Sequence, residues 1–352
     1  MSRPARVTPA AAPVVVSADA LRRFATEVFV RFGMPEADAR TVADVLVWAD
    51  LRGVDSHGVT RIPMYLRLFD DGDLNPTPTM KRRVESVASV LIEADRAAGP
   101  IAMTAAMAAA TAKAREAGIG AALVRGTTHT AALGYYTSRA ATEGMAAIAL
   151  AASVPMMAYH GARVAGVSTS PMSIAVPGSE RGPVVLDMAT SVASMGKLNQ
   201  ARAMGTPIPA GWALDADGLI PLPLGGPKGS GLSLMIELIT SVLLANPILS
   251  EALTATEGGR RHKQNAITLA IDVARFGDLE SFRREVDRLI GVVKALPRAD
   301  DGVEILVPGE RGQRTLEERQ RDGIPIPGPI VQELARVATR LGVPLPAQNS
   351  TD

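Results

Sequence analysis

The chain has 352 residues, 47% of them hydrophobic, which is enough for one large domain or two intermediate ones. A formal net charge of +1 and an aromatic content of 3% provide neither a basic surface nor many stacking rings, so no nucleic-acid partner is expected. The chain has no cysteine and only four histidines, which excludes disulfides, thiolate nucleophiles and cysteine-type zinc sites, and no metal site is predicted.

Neither the N-terminal stretch nor the longest apolar run has the features of a targeting or membrane segment. Residues 1–16 are rich in Pro and Ala but lack the apolar stretch of a signal peptide, and they are predicted to form a flexible N-terminal arm. The apolar run 232–245 contains Glu237 and is too short to span a bilayer. A soluble, cytoplasmic protein with no membrane partner is therefore expected.

Three short helices are predicted after this arm, because apolar residues recur at helical spacing and cap residues separate them. The third is predicted to begin at Asp55 or Ser56, whose side chains can accept a hydrogen bond from the first free N–H groups. These helices are predicted to form a helical domain over residues 17–80, which a C-terminal helix at about 315–342 is expected to join.

The next part of the chain, residues 81–312, is predicted to be an α/β domain with a mixed sheet, because its strands are short and often joined by tight turns. The strands are predicted at 87–92, 121–124, 145–152, 173–176, 184–186, 266–271 and 303–307. Helices are predicted at 99–117, 191–201, 282–295 and from 232 onward. The last is hydrophobic nearly all round, so burial on most of its sides is expected. No strand–GxGxxG–helix unit opens the domain, so the Rossmann fingerprint is absent.

The third helix carries a candidate catalytic constellation. His57, Arg61 and Tyr65 are spaced by four residues and would share one helix face. A proton donor and a fixed cation on one face suit a small substrate with a carboxylate and a carbonyl. The alternative is a surface helix with a cap, a solvated arginine and a tyrosine packed at its edge.

Other candidates lie at strand ends. His129 follows a strand in a loop, where it is either an acid–base group or a surface histidine. Asp187 lies between a strand and a helix, where it either accepts hydrogen bonds from ligand hydroxyls or caps the helix. The glycine-rich segment 225–231 opens a helix, and its backbone N–H groups and Lys228 either hold a phosphate or form a flexible connection. Ser153 either contacts a ligand or only ends its strand.

Several segments together resemble the malate/L-lactate dehydrogenase family, which includes ureidoglycolate and sulfolactate dehydrogenases and 2,3-diketogulonate reductase. The resemblance runs in the family's order from about residue 17 to 340. It rests on 49–58 (ADLRGVDSHG), 134–136 (GYY), 186–191 (LDMATS), 224–229 (LGGPKG) and 307–310 (VPGE).

This resemblance implies a homodimeric oxidoreductase with a non-Rossmann NAD(P)-binding domain over 81–312, which transfers a hydride between the nicotinamide and a 2-hydroxy or 2-oxo acid. The cofactor is NAD or NADP, with NAD slightly favoured. His57 and His129 match acid–base or substrate-orienting histidines, and Arg61 matches the arginine that holds the substrate carboxylate. The helical domain 17–80 is thus expected to be the substrate side, with further substrate contacts at Ser56, Tyr65 and Ser153. Cofactor contacts are expected at Asp187, Met188, Ala189, Lys228, Pro308, Gly309 and Glu310.

The chain departs from the family pattern in places that keep other reactions open. Ser168-Thr169-Ser170-Pro171 stands where many relatives have Gly-Thr-Asn-Pro. Lys197 stands where imine-reducing members can have Asp, which favours hydroxy-acid chemistry. The alternatives are a ketimine or cyclic imine reductase on the same scaffold, a catalytically idle cofactor-binding homologue and, less supported, a metal-dependent lyase.

Overall fold

The computed structural model describes residues 13–204, 206–216, 218–255 and 262–347. The chain divides into two compact units. The first contains residues up to Arg67 together with those from Gly312 onward, and the second contains Leu68–Arg311. The chain passes from one unit to the other twice, inside the helix Ile62–Asp70 and inside the helix Glu310–Asp322.

Within the described residues, the helices and strands alternate irregularly along the chain. The helices are α1 (Ala18–Arg31), α2 (Glu36–Leu51), α3 (Ile62–Asp70), α4 (Gly99–Ala117), α5 (Gly134–Thr142), α6 (Met195–Met204), α7 (Pro227–Glu237), α8 (Leu249–Thr254), α9 (Leu279–Lys294), α10 (Glu310–Asp322) and α11 (Gly328–Leu341). The strands are β1 (Val14–Val16), β2 (Lys81–Glu85), β3 (Ser89–Glu93), β4 (Ile119–Thr127), β5 (Met145–Ala152), β6 (Met157–Ala158), β7 (Ala165–Val167), β8 (Met172–Val176), β9 (Val184–Met188), β10 (Ala213–Ala216), β11 (Gly218–Pro221), β12 (Gln264–Asp272) and β13 (Ile324–Ile326).

The first unit is built on α1 and α2, whose apolar faces pack together. Ser17 caps α1 by accepting a hydrogen bond from the Ala20 N–H at 3.2 Å, so the first helix begins at the start of the predicted helical domain 17–80. The predicted N-terminal arm 1–16 is wrong at its end, because β1 pairs antiparallel with β13. A run of three valines favours a strand, but its partner lies some 300 residues away in sequence and local patterning does not reveal it. Residues 1–12 of the predicted arm lie outside the described residues.

The second unit is organised around a seven-stranded sheet with the order β2-β3-β4-β12-β5-β8-β9. Only β3 and β4 run parallel, and every other neighbouring pair in this sheet is antiparallel. The predicted mixed sheet is therefore confirmed. The buried strands β4, β5 and β12 are rich in Ala and apolar residues because α4 packs on β4 and β12, and α5 packs on β5.

Two predictions in this unit are wrong. Residues 303–307 form no strand, because this segment has no partner strand and instead leads into the turn before α10. The helix around residue 232 begins earlier, at Pro227, and continues into a π-helical turn, Leu238–Val242. It is not buried on most sides. Its exposed apolar side chains are Leu232, Leu234, Met235, Leu238, Ile239, Val242 and Leu243.

The edges of the sheet and its small hairpins have weak sequence signals. Strand β2 has five exposed residues, three of them Lys or Arg, which protects an edge from pairing with other chains. The two-residue β6 and the four-residue β10 and β11 are too short for a hydrophobic period to show. No helix among the described residues is both long enough and apolar enough to cross a membrane.

Candidate functional site

The segment carrying His57 is not one continuous helix. It forms two short 3-10 turns, Asp55–His57 and Val59–Arg61, and α-helical structure begins only at Ile62. The predicted N-cap at Asp55 or Ser56 is therefore wrong. Gly58 separates the two turns with an extended backbone, φ −86° and ψ −153°, which ends the first turn before an α-helix can form.

A buried carboxylate holds this bend in place. Asp50 is only 3% exposed, and its Oδ2 accepts a hydrogen bond from the Val59 N–H at 2.9 Å. Burial raises the pKa of Asp50 well above its usual value. The Gly58 backbone passes so close to this carboxylate that a side-chain Cβ at Gly58 would overlap it.

The outer side of the same bend is held by Arg319 on α10. Its guanidinium donates hydrogen bonds to the Asp50 carbonyl and to Asp55 Oδ1. Sequence patterns alone do not identify Asp50 or Arg319 as holding this bend. The sequence feature that points to a role for Asp50 is its position in the 49–58 motif, as an acidic residue at the otherwise apolar end of α2.

Ser56 connects the two candidate catalytic side chains. Its hydroxyl lies 3.0 Å from His57 Nδ1, and its carbonyl accepts a hydrogen bond from Arg61 Nε at 2.5 Å. Burial, and then the positive charge of Arg61, lower the pKa of His57 to about 4. His57 is therefore neutral at pH 7.

Arg61 is a half-buried cation without an acidic partner. Its guanidinium contacts Met64 Sδ at 4.0 Å, and no carboxylate among the described residues forms an ion pair with it. A desolvated guanidinium in this state suits an anionic ligand, because it can donate two parallel hydrogen bonds to a carboxylate.

Tyr65, the third residue of the predicted constellation, lies in the core of the first unit. It is 1% exposed, and its ring packs edge-on against Phe29 with the ring centres 5.8 Å apart. Burial raises the pKa of its hydroxyl. The packing provides a structural role for the ring, and substrate contact by this residue stays a prediction.

His129 lies in the loop between β4 and α5, in the second unit. The residues on either side of it are fixed by hydrogen bonds. The Thr128 N–H donates to the Ala97 carbonyl at 3.1 Å, and the Thr130 N–H donates to Gln264 Oε1 at 3.2 Å. Gly99 approaches the backbone of His129 so closely that a Cβ there would lie 2.5 Å from its carbonyl carbon.

Ser153 follows β5 and is almost fully buried. It is 3% exposed, and its hydroxyl lies 2.8 Å from the hydroxyl of Ser168. Ser168 also accepts a hydrogen bond from the Ser170 N–H, within the segment where the chain departs from the family pattern. A buried serine network therefore stands at this position.

Three of the predicted cofactor residues, Asp187, Met188 and Ala189, lie at the exit of β9. Asp187 Oδ2 accepts a hydrogen bond from the Gly134 N–H at 2.8 Å, at the N-terminus of α5. Met188 and Ala189 follow it, half-buried. The glycine-rich segment is tied to this exit, because the Leu224 N–H donates to the Thr190 carbonyl at 2.8 Å.

The Pro308-Gly309-Glu310 turn packs against β9. Gly309 has φ +83°, and a Cβ there would lie 2.9 Å from the Val185 carbonyl oxygen, so only glycine fits. Glu310 opens α10, forms an ion pair with Lys294 and accepts the Val307 N–H at 3.2 Å. The turn therefore covers the outer edge of β9.

Lys228 is the exposed cation of the glycine-rich segment. The N–H groups of Lys228 and Gly229 donate to carbonyls within the turn itself, Gly225 and Leu224. The expectation that backbone N–H groups here bind a phosphate therefore weakens. The Lys228 ammonium has no partner among the described residues and remains available for one.

The candidate residues thus form two groups, one in each unit. Ser56, His57, Arg61 and Tyr65 belong to the first unit, and all the others belong to the second. In the described part of the chain, no group of three or more His, Asp or Glu side chains is arranged to hold a metal ion.

Comparison with known proteins gives a consistent picture. A family model described as malate/L-lactate dehydrogenase matches residues 16–335. A malate dehydrogenase from Pyrococcus horikoshii is 35% identical over 347 residues, covering 93% of this chain and 96% of the relative. A solved structure of malate dehydrogenase from the same organism has a TM-score of 0.85 at 33% identity, covering 94% of this chain and 97% of that one.

Two further relatives bear on cofactor and reaction. A ureidoglycolate dehydrogenase (NAD(+)) from Escherichia coli O157:H7 is 30% identical and covers 91% of this chain and 94% of its own length. A solved delta1-piperideine-2-carboxylate reductase from Pseudomonas syringae has a TM-score of 0.80 at 26% identity, covering 92% of this chain and 99% of that one.

Proposed function

The chain belongs to the malate/L-lactate dehydrogenase family, a family of nicotinamide-dependent oxidoreductases acting on hydroxy acids, and from this premise we propose how its own residues carry out the reaction. One observation carries the proposal. His57, neutral at pH 7, and Arg61, a half-buried cation without an acidic partner among the described residues, are both hydrogen-bonded to Ser56. A base and a carboxylate receptor on one segment fit a 2-hydroxy acid of the malate, lactate or ureidoglycolate type.

Arg61 binds the substrate carboxylate. A guanidinium presents two parallel N–H groups, so it fixes the orientation of the acid as well as attracting it. Because Arg61 Nε donates to the Ser56 carbonyl, the outer end of the guanidinium is the part directed to the ligand. Ser56, Tyr65 and Ser153 are proposed as further substrate contacts.

His57 moves the proton. A nicotinamide cofactor, when bound, would supply the hydride chemistry, taking a hydride from C2 of the hydroxy acid or giving one to C2 of the oxo acid. During oxidation the neutral ring takes the hydroxyl proton at Nε2, which requires that Nδ1 is protonated and donates a hydrogen bond to Ser56 Oγ. During reduction the protonated ring returns that proton to the developing alkoxide, and the loop histidine, His129, orients the carbonyl.

The cofactor is held by residues around the exit of β9. A dinucleotide has a negatively charged diphosphate and ribose hydroxyls. The unpaired Lys228 ammonium suits the first, and the exposed Asp187 carboxylate suits the second. Met188, Ala189 and the Pro308-Gly309-Glu310 turn complete the contacts. NAD is favoured over NADP, in keeping with the NAD(+) named for one relative.

Because such cofactors are supplied inside cells, we assign the enzyme to the cytoplasm, which cell fractionation tests.

The active form is a homodimer, supported by the exposed apolar surface along α7 and the π-helical turn after it. Leu243 is 64% exposed, Met235 54% and Val242 49%. A contiguous apolar surface of this kind is typical of an interface between proteins. Size-exclusion chromatography with light scattering should give twice the mass of one chain for the wild type. The V242E/L243E variant should give the mass of a single chain. Leu289→Glu on α9, an equally exposed leucine at 59%, serves as the control and should remain dimeric.

The reaction is tested by following oxidation of NADH and NADPH with a panel of 2-oxo acids, with and without ammonia or methylamine. Turnover with an oxo acid alone is expected, and His57→Ala should reduce it while the affinity for NADH stays nearly unchanged. The piperideine carboxylate reductase among the structural relatives supports one alternative, imine reduction. Turnover only with an amine or a cyclic imine would favour it. Cofactor binding without any turnover would indicate a catalytically idle homologue.

A further inference from the structure

The loop that carries His129 begins at an irregularity in the central sheet. On β12, Gln264 pairs with Thr127 and Ala266 pairs with Val124 of β4. Asn265 therefore faces two residues of β4, Arg125 and Gly126. This is a β-bulge, and Gly126 adopts φ +71° within it. Bulges bend a strand and redirect the residues that follow, which here are the residues of the His129 loop.

A side chain of the opposite strand, not its backbone, holds this bulge. The Gly126 N–H donates to Asn265 Oδ1 at 2.9 Å. Asn265 is fully buried, with 0% exposure. A buried amide at this point restores the hydrogen bond that the bulge removes from the β-ladder.

Asn265 is itself fixed by a second asparagine. Its Oδ1 also accepts a hydrogen bond from Asn246 Nδ2 at 2.8 Å, and its Nδ2 donates to the Asn246 carbonyl at 2.9 Å. Both lone-pair positions of Oδ1 are therefore used, and the amide has a single orientation. Arg125 adds a parallel connection by donating to the Leu244 carbonyl at 3.0 Å.

The residue next to Asn265 holds the far side of the loop, where Gln264 Oε1 accepts the Thr130 N–H at 3.2 Å. One short stretch of β12 thus fixes the loop both before and after His129. We propose that Asn265 is a positioning residue, which sets the place of the His129 imidazole through the Gly126 bulge. This inference rests on the role proposed for His129 in the reaction.

A purely structural asparagine would make a different prediction. If Asn265 only stabilised the sheet, its removal would lower the unfolding temperature and change nothing specific at His129. Thr268 provides the matched comparison, since it lies on the same strand, is 0% exposed and donates to the Ala122 carbonyl of β4 at 3.3 Å, away from the bulge. Thr268→Val removes one buried hydrogen bond between the same two strands.

The test uses imidazole NMR of the full chain, which is practical because there are only four histidines and His129→Asn assigns one of them. Asn265→Ala is expected to move the His129 imidazole resonance, and to lower kcat about tenfold to a hundredfold with the NADH dissociation constant within about twofold. Thr268→Val should lower the unfolding temperature alone. Asn246→Ala, which removes one hydrogen bond to Asn265 from a half-buried residue, gives a milder version if Asn265→Ala fails to fold.

The outcomes separate this inference from the proposed reaction. An unchanged His129 resonance in both asparagine variants would overturn the positioning role. If His129→Ala retains full turnover, the role proposed for His129 in the reaction is wrong, while the resonance still decides whether Asn265 positions the ring. If both roles hold, the Asn265→Ala change lowers kcat much less in the His129→Ala background than in the wild type.

Discussion

Replacing Gly58 with alanine tests how firmly the His57 bend is held. A Cβ at Gly58 would lie 2.5 Å from Asp50 Oδ2 and still closer to Oδ1. Because Asp50 is only 3% exposed, its carboxylate cannot simply turn into solvent. Either the backbone shifts, or the hydrogen bond from the Val59 N–H breaks. Overpacking a buried site costs about 1–3 kcal/mol, and leaving a buried N–H unpaired costs about 1–3 kcal/mol, so G58A should destabilise the protein by about 1–3 kcal/mol by either route.

Thermal unfolding and hydrogen exchange measure this effect globally and locally. G58A should lower the unfolding temperature and increase exchange in peptides that cover Val59. The control is Gly291→Ala on α9, where nothing lies within 4 Å of the new Cβ, so it should be neutral or stabilising by about 0.5–1 kcal/mol. In an Asp50→Ala background the new methyl group has room, so G58A should cost clearly less there. Wild-type stability and exchange in G58A would refute the claim that Asp50 clamps the bend.

Four further predictions concern the candidate site. The pKa of His57 is lowered to about 4 in the folded protein. As the pH falls below 6.5, this histidine is therefore protonated in the unfolded chain before it is protonated in the folded protein. The free energy of unfolding of the wild type should therefore fall by up to about 3 kcal/mol between pH 6.5 and pH 4, and by less where solvent screens the partly exposed ring. H57Q should not show this loss, and urea unfolding at several pH values compares the two proteins. Since only protonated His57 donates, kcat/KM for oxo-acid reduction should fall about tenfold per pH unit above about pH 5, and a flat profile would exclude it as the donor. R61K should raise the KM for the oxo acid about 10- to 100-fold because the forked geometry is lost, whereas R67K, an exposed control on α3, should not. K228A should raise the dissociation constant of NADH about tenfold and weaken its salt dependence, leaving the KM of the oxo acid nearly unchanged; calorimetry at two salt concentrations measures both.

The elements predicted well are those with a strong local signal. The strand β5 is a continuous apolar run, and α4 is an Ala-rich stretch that ends at Gly118, so both have the predicted bounds, Met145–Ala152 and Gly99–Ala117. The elements that were missed depend on distant partners. The strand β1 exists because β13 pairs with it, and residues 303–307 lack such a partner despite their apolar composition.

The candidate site shows the same division. Its residues could be named from motifs, because His57, Arg61 and Lys228 lie in short, recognisable segments. Their conformation could not be read from spacing alone. The four-residue period of His57 and Arg61 suggested one helix, but the buried Asp50 carboxylate replaces helical hydrogen bonding at Val59. The asparagine pair behind His129 lies far from the loop in sequence, so no local pattern indicates it.

The π-helical turn shows a related limit. A mostly apolar helix predicts burial, but the apolar side chains in and next to its π-helical turn, Leu238, Ile239, Val242 and Leu243, are exposed in the single chain. Hydrophobic composition predicts that an apolar surface is buried. It does not show whether that surface is buried against the same chain or against another chain. The homodimer proposed above accounts for this surface.

The most direct test of the central claim compares a 2-oxo acid that the enzyme reduces with its methyl ester. If Arg61 binds the carboxylate while His57 supplies the proton, the wild type should prefer the acid by about 10- to 100-fold in kcat/KM. The reason is that the neutral ester cannot form the charged, two-hydrogen-bond pair with the Arg61 guanidinium. Arg61→Ala should abolish this preference, and His57→Ala should lower both rates while the preference remains. An Arg61→Ala variant that still prefers the acid by the wild-type ratio would contradict the account.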